Sequence, residues 1–148
     1  MFSISIEESA PTSSSEQPSV YGRIVATGLN ERFLLPVHYW GPEEYSAQWL
    51  AAIDELLSGA NRAVLVTSIC PPDDPDFGMC WVLYREGKTV YVQNCLLFPE
   101  QLSKLADRSE LTELVGPRQT VSEDGEQISE WRTTVADIAH FRATATRR

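Results

Sequence analysis

The histidines and cysteines are the first side chains of this sequence to consider for nucleophilic catalysis or metal binding. The histidines are His38 and His140, and the cysteines are Cys70, Cys80 and Cys95. Cys70 and His38 are the residue types that form a nucleophile and its general base, but nothing in the sequence brings them together. A structural zinc site requires four close ligands, and these residues are scattered along the chain. The pattern favours structural roles for all five and predicts no catalytic, metal or cofactor site.

The cysteine count and the hydropathy pattern indicate a cellular compartment. Three cysteines without paired spacing are typical of a reducing environment rather than of a disulfide framework. Residues 1–6 lack the basic start and the apolar run of a secretory signal. No segment approaches the roughly 20 apolar residues that cross a bilayer. We therefore expect a cytoplasmic protein that does not bind membranes.

The charge balance points to a class of partner. The chain has 21 acidic and 12 basic residues, a formal net charge of −9 and a pI of about 4.6. Nucleic-acid binding requires clustered Lys and Arg, and the only lysines are Lys88 and Lys104, so direct binding of nucleic acid is disfavoured. An acidic surface attracts and orients a basic partner, although acidity also serves solubility alone.

Three acids are concentrated in a proline-rich segment, Asp73, Asp74 and Asp76. They resemble a calcium-binding loop only in their charge, because prolines interrupt them and the bidentate Glu at the loop end is missing. An exposed, solvated loop is the favoured interpretation.

A helix over residues 42–58 is the best-defined predicted element. Pro42 suits the first helical position, and Gly59 suits the left-handed conformation that ends a helix. Its apolar residues recur at offsets of four, four and three, which makes one buried stripe. These residues are Tyr45, Trp49, Ile53 and Leu56.

The remaining apolar runs predict strands, two hairpins and further helices. Strands are expected at 21–26, 32–39 and 63–70, in a central hairpin of 79–84 with 89–98, and in a second hairpin of 118–121 with 127–132. A short helix is expected at 99–106, another turn or two at 109–115, and a last helix after Thr133 or Thr134 with Val135, Ile138 and Phe141 on one face.

The predicted fold class is α+β, an antiparallel β-sheet with helices packed against it in a single small domain. We expect a flexible tail at 1–20, the folded domain at 21–143 and a frayed end at 144–148.

Several segments of the chain resemble the immunity proteins of bacterial contact-dependent growth inhibition and related polymorphic toxin systems. The segments are Val37-His38-Tyr39-Trp40, Tyr45-x-x-Gln48-Trp49, Tyr91-Val92-Gln93-Asn94 leading to Phe98, and Glu123-Asp124-Gly125-Glu126-Gln127-Ile128-Ser129-Glu130-Trp131. The resemblance covers residues 33–141, and the Ser-rich N-terminal segment and the loop 71–76 depart from the family pattern.

The resemblance implies a small cytoplasmic protein that binds the C-terminal toxin domain of a cognate effector, often a nuclease, and blocks its active site. An acidic inhibitor suits a nuclease groove that is basic where it grips phosphate. The candidate toxin-binding residues are the loop acids Asp73, Asp74, Asp76, Glu123, Asp124 and Glu126, whereas Trp40, Gln48, Trp49 and Trp131 are expected in the scaffold. We expect a monomer or a weak homo-oligomer. Two alternatives remain open, a regulatory adaptor without a toxin and a small hydrolase or transferase that uses His38 or a cysteine.

Overall fold

The computed structural model describes residues 1–7, 19–37, 39–69, 77–98 and 111–146. These residues form strands β1 (Ser3–Ile6), β2 (Ser19–Ala26) and β3 (Leu29–Pro36), helix α1 (Pro42–Leu57), strands β4 (Arg62–Ser68), β5 (Gly78–Glu86) and β6 (Thr89–Leu97), helix α2 (Leu111–Leu114), strand β7 (Trp131–Thr134) and helix α3 (Val135–Thr146). The strands are antiparallel and divide into two sheets, ordered β1-β2-β3 and β4-β5-β6-β7. The predicted α+β class is confirmed, with two sheets in place of the single one that we expected.

The first sheet includes a strand that the sequence analysis missed. Residues 3–6 pair with β2, from Ser3 opposite Val25 to Ile6 opposite Gly22, whereas a flexible tail was predicted for residues 1–20. The physical reason is that Phe2 and Ile4 are buried in the core, so this short segment contributes apolar surface that the polar stretch after it lacks. The predicted tail is therefore wrong for residues 3–6 and for the start of β2 at Ser19.

The second sheet is built around the central hairpin of β5 and β6, as predicted. The two strands pair from Gly78 opposite Leu97 to Glu86 opposite Thr89, and Gly87 between them has a φ of 64° that favours glycine. Strands β4 and β7 flank this hairpin. A bridge between Thr27 and Arg132 links the two sheets.

The second predicted hairpin forms only in part. Its turn is closed by one bridge between Val121 and Gln127, and no further ladder between its two arms exists within the described residues. The residues after it, Trp131–Thr134, pair with β6 instead. This pairing buries Thr133 and packs Trp131 against the core, which the mostly exposed arms of the turn do not do.

Helix α1 lies where the sequence predicts it and covers the free edge of β4. Its four predicted stripe residues are all buried. At the edge strand, the Gln48 side chain acts like a neighbouring strand: its Nε2 donates to the Val64 carbonyl at 2.7 Å, and the Val66 N–H donates to its Oε1 at 2.9 Å. Trp49 Nε1 donates to the Val66 carbonyl at 2.6 Å. The helix thereby satisfies backbone groups that an open sheet edge leaves unpaired.

Helix α3 completes the core. The Asp137 N–H donates to Thr134 Oγ1 at 3.0 Å, which confirms the predicted cap. Ile138 is fully buried, and Phe141 contacts Phe2 edge-to-face at 5.4 Å between ring centroids. The helix continues to Thr146, past the residue 144 at which fraying was predicted.

The helix predicted at 99–106 lies outside the described residues, and α2 falls within the predicted 109–115. Across the described ranges, no helix has both the length and the apolar character to cross a membrane.

Candidate functional site

Three of the six candidate acids lie together in one exposed turn, residues 122–126, which we call the acidic turn. Its backbone is closed by hydrogen bonds from Ser122 N to the Glu126 carbonyl at 2.8 Å and from Gly125 N to the Ser122 carbonyl at 3.0 Å. The Glu126 N–H also donates to Ser122 Oγ at 3.2 Å. Gly125 has a φ of 83°, the conformation that the Asp-Gly pair indicated. The turn presents Glu123, Asp124 and Glu126 to solvent.

Within the described residues, several other acids form ion pairs, whereas the carboxylates of the acidic turn do not. Glu7, Asp54 and Glu86 each form an ion pair with an arginine. In the part of the chain that the structure describes, no ion pair or side-chain hydrogen bond is made by the carboxylates of Glu123, Asp124 and Glu126. Three negative charges are thus displayed within four residues, without a neutralising neighbour in those ranges.

The acidic turn is held on the second sheet by a group of three side chains that we call the anchor cluster, Arg118, Glu130 and Gln93. Arg118 donates to both carboxylate oxygens of Glu130, from Nε at 2.7 Å and from Nη2 at 2.6 Å. Gln93 Nε2, from β6, donates to Glu130 Oε2 at 2.7 Å and to the Gln119 carbonyl at 2.9 Å. The Arg118–Glu130 pair closes the loop that contains the acidic turn, and Gln93 ties that closure to the sheet.

Aromatic contacts strengthen the same attachment. The Arg118 guanidinium lies 3.6 Å from the centroid of the Tyr91 ring, a cation–π contact with β6. Tyr84 Oη donates to the Gly116 carbonyl at 3.1 Å, which fixes the start of the loop to β5. The loop is therefore attached to both central strands, and the acidic turn projects from a preorganised base.

The charges of the anchor cluster are stable at neutral pH. The hydrogen bonds from Arg118, with a further contribution from Gln93, hold the pKa of Glu130 below its usual range, although partial burial opposes this shift. The Glu130 carboxylate in turn raises the pKa of Arg118 above its already high ordinary value. The two side chains are only 23% and 16% exposed, so solvent screens the pair far less than a surface ion pair.

The other predicted candidates lie elsewhere. Asp73, Asp74 and Asp76, together with His38 and Cys70, are outside the described residues. His140 lines a groove of about 560 Å³ between β1, α1 and α3. No group of three or more His, Cys, Asp or Glu residues suited to a metal ion occurs in the described ranges.

The aromatic motif residues lie in the scaffold. Trp49 and Gln48 contact the β4 edge, Trp40 packs against Tyr45 at 5.4 Å, and Trp131 packs against Trp81 at 6.0 Å between ring centroids. Sequence reasoning missed the anchor cluster. Glu130 belonged to a recognised segment, but no signal paired it with Arg118 or with Gln93.

An exposed, preorganised acidic turn on an α+β scaffold is the kind of surface that attracts and orients a basic partner. Comparison with known families identifies the class of protein. The model of the family described as CdiI N-terminal domain matches residues 35–141. The chain belongs to this family, which confirms the resemblance read from the aromatic segments.

Individual relatives agree with the family match. The chain is 34% identical over 125 residues to "Immunity protein CdiI" of Enterobacter cloacae subsp. cloacae, an alignment that covers 84% of this chain and 83% of the relative. Among solved structures, it is similar to a chain of the "CdiA-CT/CdiI toxin and immunity complex from Enterobacter cloacae", with a TM-score of 0.89, 30% identity and 100% of both chains covered. The family is one of immunity proteins, so this chain is a binding protein and not an enzyme.

Proposed function

We propose that this protein binds and neutralises the C-terminal toxin domain of a cognate effector of contact-dependent growth inhibition. Membership of the CdiI family supports the proposal, as does the likeness over the whole chain to a chain of a toxin and immunity complex. The proposed toxin-binding surface is based on the acidic turn. Its three carboxylates have no described ion-pair partner, and the anchor cluster attaches the turn to the second sheet.

We propose further that the toxin presents a basic surface and that the acidic turn occupies it. A nuclease grips phosphates with Lys and Arg, so a rigid acidic segment fits the same groove and excludes the polyanionic substrate. The net charge of −9 accelerates the encounter through long-range attraction. Because the backbone hydrogen bonds of residues 122–126 already order the turn, binding loses little conformational entropy there. Nuclease activity of the toxin and occlusion of its active site are both part of the proposal.

The acidic turn supplies one part of the contact surface. A standard interface buries about 800 Å² on each partner, roughly a tenth of the 8623 Å² surface of this protein. Five turn residues are too few for that area. We therefore retain Asp73, Asp74 and Asp76 as a second proposed contact, on the basis of their charge in a proline-rich segment.

The proposal places the protein in the cytoplasm, where a delivered nuclease would meet its substrate. It also treats the free protein as a monomer or a weak homo-oligomer, which leaves the acidic turn available to the toxin. Size-exclusion chromatography of the free protein tests this point, since a stable dimer that masks the turn would contradict it.

The direct test is co-expression with the toxin domain encoded immediately upstream of this chain's gene. Growth rescue and co-purification are scored for the natural protein and for the variant Glu123→Lys/Asp124→Lys/Glu126→Lys. The matched control is Glu31→Lys/Glu55→Lys/Glu113→Lys, which changes the net charge equally at three exposed acids that form no described ion pair. We expect the turn variant to lose at least tenfold in affinity and the control to retain rescue.

Two outcomes separate the function from the surface. If the natural protein neither binds the domain nor rescues growth, the proposed function is wrong. If it does both and the turn variant is as effective as the control, the function stands and the assignment of the acidic turn is wrong. Binding at rising salt provides a second check, because a contact between opposite charges weakens as the salt concentration increases.

A further inference from the structure

Two cysteines face each other across the central hairpin of the second sheet. Cys80 in β5 is the register partner of Cys95 in β6, and both are free thiols. Side chains of directly paired residues point to the same face of an antiparallel sheet, so the two sulfur atoms share one side of the hairpin.

The register places the two backbones within reach of a disulfide. Paired residues of antiparallel strands have Cα atoms about 4.5 or 5.5 Å apart, depending on the hydrogen-bonding pattern. Both separations fall in the range of about 4.4 to 6.8 Å that disulfides span. A bond between these sulfurs therefore requires side-chain rotation and no rearrangement of the strands.

The surroundings of the two thiols divide the chemical roles between them. Cys80 is fully buried, whereas Cys95 is partly exposed and accessible to a small oxidant. The hydrogen bond from the Cys80 thiol lowers the pKa of Cys95 to about 7 despite partial burial. The same contact and burial raise the pKa of Cys80 well above its ordinary value. A pKa of about 7 leaves Cys95 partly ionised at neutral pH, so Cys95 supplies the thiolate and Cys80 the thiol that donates to it.

We propose that Cys80 and Cys95 form an oxidation site that closes a disulfide across the β5–β6 hairpin when the protein meets a peroxide. The Cys95 thiolate attacks hydrogen peroxide, the O–O bond breaks, and Cys95 becomes a sulfenic acid with release of hydroxide, which takes a proton to become water. The sulfur of Cys80 then attacks the Cys95 sulfur, its proton leaves with the displaced hydroxyl, and a second water forms. The net change oxidises two thiols to one disulfide and reduces one peroxide to two waters.

The disulfide would lie beside the anchor cluster without breaking it. Cys95 is two residues from Gln93 in β6, on the face from which Gln93 reaches Glu130. The crosslink joins strands that are already paired along nine positions, so the oxidised protein keeps its fold. Closing a loop of this length restricts the unfolded chain, and we expect the melting temperature to rise by about 5 °C or more.

The test treats the purified full chain with hydrogen peroxide, alkylates the remaining thiols and maps the peptides by mass spectrometry. Trypsin leaves Cys70 and Cys80 on one peptide, because no Lys or Arg occurs between Ala63 and Arg85. The variant Cys70→Ser is therefore the decisive protein, and Cys95→Ser is the matched negative. We expect Cys70→Ser to yield the linked peptides with loss of two thiols, at a rate that rises as the pH increases through about 7.

Every result of this experiment decides the proposal. A Cys80–Cys95 link in the Cys70→Ser variant, absent from Cys95→Ser, supports it. No link, a link that involves Cys70 in the natural chain and disappears in Cys70→Ser, or oxidation of Cys95 only to the sulfinic acid overturns it. The partly exposed position of Cys95 makes its serine variant a mild change, and circular dichroism verifies that it folds. The readout is a covalent bond, so it is independent of toxin binding.

Discussion

Replacing Glu130 with Gln tests whether the anchor cluster holds the acidic turn. Glu130 accepts two hydrogen bonds from Arg118 and one from Gln93, at 2.6 to 2.7 Å. A glutamine keeps the shape and one acceptor oxygen, but its NH₂ group faces donors and the negative charge is lost. Among the described residues, Glu86 at 3.3 Å is then the carboxylate that still pairs with Arg118, beside the contact of the guanidinium with the Tyr91 ring.

The expected cost follows from these contacts. A hydrogen bond to a charged group contributes about 1.5 to 3 kcal/mol, and breaking a buried ion pair costs about 3 to 5 kcal/mol. Since the pair is partly exposed and Glu86 remains, we expect Glu130→Gln to lower the free energy of unfolding by about 2 kcal/mol. This corresponds to a fall in melting temperature of about 4 to 8 °C for a chain of this size.

The lowered pKa of Glu130 predicts how the stability difference between the natural protein and the variant changes with pH. Glu130 has a folded pKa below its unfolded value, so its contribution to stability is complete above about pH 4.3 and is lost as the pH falls through the folded pKa. Urea unfolding of the natural protein and the variant, followed by Trp fluorescence, should therefore show a difference at pH 7 that shrinks below about pH 4. A difference that is absent at pH 7, or that is as large below about pH 4 as at pH 7, would contradict the role assigned to Glu130. Arg118→Gln and the double variant complete a mutant cycle that isolates the pair.

Three further changes test other parts of the structure. Gln48→Ala exposes the Val64 carbonyl and the Val66 N–H at the β4 edge, and urea unfolding should show a loss of about 1 to 2 kcal/mol. Gly125→Ala should cost about 1 kcal/mol by the same measurement, because no atom crowds the added methyl and only the φ of 83° opposes it. Reversal of Asp73, Asp74 and Asp76 to Lys should weaken toxin binding with little loss of stability, and unchanged affinity by calorimetry at low salt would contradict their proposed role.

The predictable parts of the fold are those whose sequence pattern lies within a short stretch of neighbouring residues. The stripe of α1 repeats at helical spacing, and its four residues are buried as expected. The β5–β6 hairpin joins two apolar runs through a short turn, and it forms at the centre of its sheet. The Asp-Gly pair at 124–125 indicated a turn and forms one. In each case the interactions that decide the structure are local.

The parts that were missed depend on contacts between distant residues. Strand β1 has four residues, which are too few to show an alternating apolar pattern beside the polar sequence that follows. It forms because it pairs with β2 and because Phe2 and Ile4 are buried in the core. The division into two sheets depends on which strands pair, and the hydrophobic pattern within each strand does not specify its partner. Within the anchor cluster, Gln93 and Glu130 are 37 residues apart, and a lone glutamine in an apolar strand gives no indication of its partner.

The motif residues and the candidate contact residues lie in different parts of the structure. This explains why the sequence indicates the family but does not indicate the identity of the toxin. Gln48 and Trp49 close the edge of β4, so we expect their replacement to destabilise the fold. The conformation of the acidic turn depends instead on backbone hydrogen bonds, Ser122 and Gly125, none of which involves the carboxylates. Side chains at 123, 124 and 126 are therefore free to change charge without refolding the turn. We propose that this scaffold separates stability from partner choice, with aromatic residues that mark the family and loop charges that select the toxin.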